Sequence, residues 1–277
     1  MKTMIVPPPL ASSAFAAPGK TARAPDWLRP TPMKLLVLAM LALCGNWLHK
    51  HHDTVALLLQ WTPALFDGFL VNIWIGLVSV LCASVLGLGL GAMQVSPRPL
   101  LARPARLFTL FFRNAPWLVV IFFMMYAIPF EVQLFGQYYQ LPDWIKVALG
   151  LSLTAAGYAA EIVRGGIQSI PLPQWEAAAS LGLDRRRILR RVVLPQALRS
   201  MLPAWMNLYC TVTMATALAS LLGIEDLMTT MQLRLAGESR PDLMLPGYLL
   251  VFLVFFFYIY PISRLSRALE RKWSLHD

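Results

Sequence analysis

Long apolar runs alternate along this chain with short connections that carry nearly all of its charge. Six runs are candidate membrane spans, at residues 33–48, 65–93, 114–130, 147–163, 200–224 and 243–263. A hydrocarbon core about 30 Å thick is crossed by roughly 20 helical residues, each rising about 1.5 Å. The second, fifth and sixth runs reach that length outright. The first and third are short, and the fourth carries an acid, Glu161. Barrel strands would alternate apolar and polar positions, whereas these runs are continuous. The pattern predicts an all-α membrane protein, a polytopic helical bundle of about six transmembrane helices. Residues 1–32 are rich in Pro, Ala and Ser without periodicity and are expected to form a disordered tail. Residues 34–44 have the look of a signal-peptide core, but Leu43 is too large to precede a lipoprotein cysteine, so 33–48 is expected to be an anchor helix.

Composition agrees: 57% of the 277 residues are hydrophobic and 14% charged, outside the range of water-soluble domains. The formal charge of +10 is not gathered into a nucleic-acid groove but falls between the apolar runs. Of the 24 basic residues, all but Lys50, Lys146, Arg234 and Arg240 lie on one side of a six-span topology. The positive-inside rule then makes both termini cytoplasmic in this multi-pass topology. Cys44, Cys82 and Cys210 sit singly within apolar stretches and read as packing residues.

No self-contained chemistry is legible. Gly19-Lys20-Thr21 ends like a phosphate-binding loop, but Ala14 stands where the first glycine belongs and no strand precedes it. ATP is not expected to bind this chain. The cluster His49, Lys50, His51, His52 and Asp53 has metal-ligand residue types, yet fits a solvated helix end better than a metal site. No nucleophile stands with a His and an acid at catalytic spacing, so neither catalytic residues nor a metal are expected.

The informative segment is the loop at 166–199. Pro171 and Pro173 suit a helix start, Gly182 a left-handed helix end, and Asp184 the cap of a second helix that must end or kink near Pro195. Glu176 lies near the first helix's N-terminus, and Ala177, Ala178 and Gly182 leave room for another surface. Spacing alone leaves two readings open, a docking element for a protein and a basic loop lying on anionic lipid.

The run EAAASLG, followed after its glycine by Leu194-Pro195, resembles the EAA loop of binding-protein-dependent ABC importer permeases. Segments beginning at Phe111, Tyr158 and Leu194, and LSRALERKW near the end, are similar to the polar amino acid permeases of that family. The resemblance covers roughly residues 65–273 and implies a five-helix permease core, with 33–48 as an extra N-terminal helix. It implies a coupling loop carried by Glu176, Ala177, Ala178, Gly182, Leu194 and Pro195, which docks on a cytoplasmic ABC ATPase subunit. It also implies a second permease subunit, identical or similar, a periplasmic solute-binding protein, and ATP with Mg bound by the partner ATPase rather than here. The chain departs from many relatives at Pro173 and in the segment Met214-Ala215-Thr216-Ala217-Leu218. Polar groups are costly inside a bilayer and tend to face a path or a partner, which marks Glu161, Asn207, Thr211, Thr213, Thr216 and Ser220 as candidate path residues. Their hydroxyls can equally bond back to their own helix. Glu161 and Arg164 are spaced to pair across one turn. The expected function is import of polar amino acids, or of another small solute such as an opine. An ATPase-independent secondary transporter or channel is the rival from another class, disfavoured by the EAA loop and by the lack of a visible internal repeat.

Overall fold

The computed structural model describes residues 52–134 and 136–274. The extra N-terminal helix at 33–48, the tail at 1–32 and His49–His51 of the histidine cluster lie outside the described residues. Met1–Val55 separates as its own unit from Ala56–Asp277, and the architecture below is that of the second unit.

Helix α1, His52–Gln94, has 43 residues and so extends about 65 Å, more than one bilayer crossing requires. Helix α2, Pro99–Asn114, buries Ala102, Ala105 and Thr109 on one face and bears Arg103, Arg106 and Arg113. Helix α3, Trp117–Ala127, follows at 107° to α2. The cause of the bend is local: Pro116 forces Ala115 into an extended conformation (φ −72°, ψ 137°) and stops α2. The expected span at 114–130 is therefore half of a bent pair rather than a straight helix. Strands β1, Glu131–Leu134, and β2, Gln137–Gln140, form an antiparallel hairpin, a β element the apolar pattern did not announce.

Helix α4, Asp143–Gln168, is the central post, with most of its small residues buried. Close approach explains them. A Cβ on Gly157 would meet Arg113 N at 3.1 Å and Thr109 O at 3.2 Å of α2. A Cβ on Gly87 of α1 would collide with Ala159 Cβ and reach the Ala159 backbone at 3.0 Å. Small residues let membrane helices gain dispersion contact where no hydrophobic drive exists between them.

Helix α5, Leu172–Ser180, and helix α6, Arg185–Ile188, form the loop element; a π-helical segment, Leu189–Val193, joins α6 to α7, Leu194–Ala215. The helix runs on from Arg185 to Leu222, so of the two outcomes expected near Pro195, an end or a kink, it does not end there; a π segment, Leu189–Val193, distorts it just before the proline. Proline, which has no N–H to give, follows directly on the wide π segment, the kind of local widening that accompanies an interruption of the intrahelical ladder. A 3-10 segment, Thr216–Leu222, ends at Gly223 (φ 77°). Helix α8, Leu227–Glu238, and a 3-10 turn, Pro241–Leu243, lead into α9, Met244–Ser274. Among the described residues, four helices are long and apolar enough to cross a membrane, or five if the bent pair counts as one span.

Candidate functional site

The loop is a rigid body made by local rules. Gly182 takes φ 74°, and its N–H donates to Ala179 O (2.9 Å) while Leu183 N–H donates to Ala178 O (3.4 Å). This paired closure satisfies carbonyls at the end of α5 and requires the left-handed residue that glycine supplies. Two residues on, Asp184 Oδ1 accepts from Arg187 N–H at 2.9 Å and caps the next helix. Beneath the turn, Ala178, Ile188, Val193 and Ala197 pack with Val163 and Ile167 of α4. The loop element is thereby fixed to the central helix.

The six loop candidates do not all share one surface. Glu176, Ala177, Gly182 and Pro195 are exposed, Leu194 is half-buried, and Ala178 is 4% exposed and faces the internal cluster. A Cβ on Gly182 would meet nothing within 4 Å, so the turn presents open space. Exposed Leu172 and Leu181 flank α5 at its two ends.

The path candidates divide similarly. Asn207 and Thr211 are exposed on α7, and the Thr211 hydroxyl donates to Asn207 O at 3.0 Å. Thr213 and Thr216 are 0% exposed, donating to Tyr209 O (2.9 Å) and Thr213 O (2.7 Å). Ser220 is half-buried and donates to Ala217 O at 2.8 Å. Glu161 is half-buried; Arg164 Nη2 reaches its Oε2 at 2.6 Å and Nε its Oε1 at 3.3 Å. The expected pair forms, and Arg113 of α2 adds a third member at 3.5 Å. Tyr158 OH donates to Arg113 O (3.2 Å) and its ring stacks on Trp117, so α4 grips the α2–α3 bend through Tyr158 and Glu161 together.

Two polar centres escaped sequence reasoning. Asn72 of α1, fully buried, donates through Nδ2 to Thr216 Oγ1 (3.1 Å) and Asp226 Oδ2 (3.0 Å), and accepts from Leu227 N–H (3.0 Å). Asp226 also accepts from Thr229 N–H at 2.8 Å and caps α8. Burial pushes the Asp226 carboxyl up, partly offset by the bonds from Thr229 and Asn72. The second centre is Lys146, expected in an outer connection but 0% exposed in α4. Its Nζ stands 2.9 Å from Asp143 Oδ1 and 3.4 Å from the Phe130 ring centroid, anchoring the approach to the hairpin. The signals that could have revealed them were a lone Asn within an apolar run and an Asp-x-x-Lys spacing at a helix start.

Comparison with known proteins accords with this architecture. Residues 83–275 match the family model described as binding-protein-dependent transport system inner membrane component. The octopine transport system permease protein of Rhizobium radiobacter is 35% identical over 66% of this chain and 76% of its own length. The probable glutamine ABC transporter permease protein of Bacillus subtilis (strain 168) is 30% identical over 74% of this chain and 92% of its own. Among solved structures, an amino acid ABC transporter crystallised with histidines aligns with TM-score 0.67 and 24% identity, over 78% of this chain and 96% of that one, a likeness of fold. With its bundle, loop and matched length together, the chain belongs to the family of binding-protein-dependent inner membrane transport components, the permeases of ABC transporters.

Proposed function

We propose that this permease, paired with itself or a similar subunit, forms a path for polar amino acids or opines that opens alternately to either side of the inner membrane. Both termini are cytoplasmic in this reading, a periplasmic binding protein delivers the solute, and a separate ATPase subunit holds ATP and magnesium. The names of relatives, which specify octopine and glutamine, support that solute class. Asn207 and Thr211, sharing an exposed flank of α7 with Met214, are the polar path residues the reading favours.

The observation that carries the coupling role is the doubly closed turn at Gly182 and Asp184, pinned to α4 through Ala178 and Ile188. A rigid helix fixed to a spanning helix can transmit a push from a partner; a solvated basic loop cannot. The exposed edge of Glu176, Ala177 and Gly182 is the contact surface of this reading. Gly182→Asp strains a backbone at φ 74° and puts a negative charge into the contact, while Glu176→Lys reverses the charge on α5. Gly182→Ala separates backbone strain, about 1 kcal/mol, from contact effects. Each variant should insert and remain stable, and Gly182→Asp and Glu176→Lys should lose ATPase association or ATP-driven uptake in reconstituted vesicles. Wild-type association and uptake with both substitutions present would refute the coupling role.

A further inference from the structure

Beside the coupling element lies a second surface with different chemistry. Arg186 and Arg187 of α6 and Arg190 and Arg191 of the π segment together line a recess of ≈ 490 Å³. All four are exposed. Among the described residues the acid that approaches them in an ion pair is Asp184, whose Oδ1 stands 3.9 Å from Arg187 Nε and is already committed to the Arg187 N–H. Four guanidiniums on one face repel one another, and that repulsion is relieved by an anion that accepts several N–H donors at once.

The backbone holds this face outward. Ile188 and Val193 are buried in the internal cluster with Val163, Ile167 and Ala178, which turns Arg190 and Arg191 between them outward, and Arg186 and Arg187 just before Ile188 are exposed as well. The same helix continues through Leu222 as a segment long and apolar enough to cross the membrane. Arg190, Leu194, Leu198 and Leu202 recur every four residues and share one flank of it. Leu198 is 55% and Leu202 47% exposed. Guanidiniums lining a recess, followed along one flank by exposed leucines, match an anionic headgroup with its acyl chains. A free nucleotide or phosphate has no use for the leucines.

We infer that Arg186, Arg187, Arg190 and Arg191 form a binding site for the phosphate-bearing headgroup of an anionic phospholipid, whose chains lie along Leu198 and Leu202. The inference rests on the span from Arg185 to Leu222 and is independent of the solute and of the ATPase contact proposed above. A lipid seated here would brace the helix that carries the coupling turn.

The test uses the full chain purified in an uncharged detergent, with the thermal unfolding midpoint followed as dihexanoyl phosphatidylglycerol is added. Parallel titrations use dihexanoyl phosphatidylcholine and inorganic phosphate. The anionic lipid should raise the midpoint, the choline lipid and phosphate should not, and added NaCl should weaken the response. Each Arg→Gln replacement at these positions should raise the lipid concentration needed by about fivefold. Arg190→Gln and Arg191→Gln alone suffice if the fourfold variant does not fold. An equal response to inorganic phosphate or to the choline lipid overturns the assignment, as does an unchanged response in the variants. Should the variants keep the lipid response but lose ATPase co-purification, the patch is a protein contact and the lipid site is refuted.

Discussion

Asn72→Ala probes a buried contact that ties three elements of the bundle together. The side chain joins α1 to the start of α8 and to the 3-10 segment, with three hydrogen bonds of 3.0–3.1 Å in a fully buried setting. Truncation leaves Leu227 N–H without its acceptor, costing about 1–3 kcal/mol for a buried unsatisfied donor. It removes one of the bonds to the Asp226 carboxylate, about 1.5–3 kcal/mol, and leaves a small cavity worth about 1 kcal/mol. The sum, about 3.5–7 kcal/mol, corresponds to a fall of roughly 7–28 °C in the unfolding midpoint of a domain this size, at about 2–4 °C per kcal/mol. Intrinsic fluorescence of the detergent-purified protein during heating would read it. The Asn72→Ala/Asp226→Ala double variant should cost less than the two single changes added together, because each single change loses the same Asn72–Asp226 bond and the double variant loses it once. A midpoint within a degree or two of wild type, or strictly additive single changes, would show that the three bonds do not act as a unit.

Other outcomes follow from neighbouring features. Gly87→Leu should disrupt the α1–α4 contact, since even a Cβ there reaches the Ala159 backbone at 3.0 Å; overpacking of about 1–3 kcal/mol is expected, read as a lower midpoint and reduced yield of folded protein. Gly89→Leu, in the same helix but with nothing within 4 Å of its Cβ, should be close to neutral. Folding raises the Asp226 carboxyl above its ordinary value, so the folded state holds that proton more tightly than the unfolded state. Its charge-burial cost should therefore shrink as pH falls through the folded-state value towards the ordinary carboxylate range. The stability of wild type relative to Asp226→Asn should rise with acidification over that interval, and a flat or falling difference would contradict the assignment.

How far the sequence reached is clearest residue by residue. The Gly182 turn, the Asp184 cap and the Glu161–Arg164 pair were all legible, because each depends on neighbours within one helical turn and on the backbone preferences of the residues themselves. The break before Trp117 was equally local, a proline acting on the residue before it, but the apolar run on both sides concealed it. Tertiary structure alone decided which polar groups meet. Asn72 finds Thr216 and Asp226 across separations of 144 and 154 residues, and Arg113 reaches Glu161 from another helix. The same holds for Thr213 and Thr216, which sequence offered as path residues and packing buries at 0% exposure.

The physical reason is that a helix apolar on every side has no periodicity to say which flank faces protein and which faces lipid. Composition therefore determined that the chain enters a membrane, and spacing determined its caps, turns and one-turn pairs. The rotation of each helix about its axis was set by where small residues such as Gly87, Gly157 and Ala159 permit close approach, and by where Asn72, Asp226 and Lys146 find partners once buried.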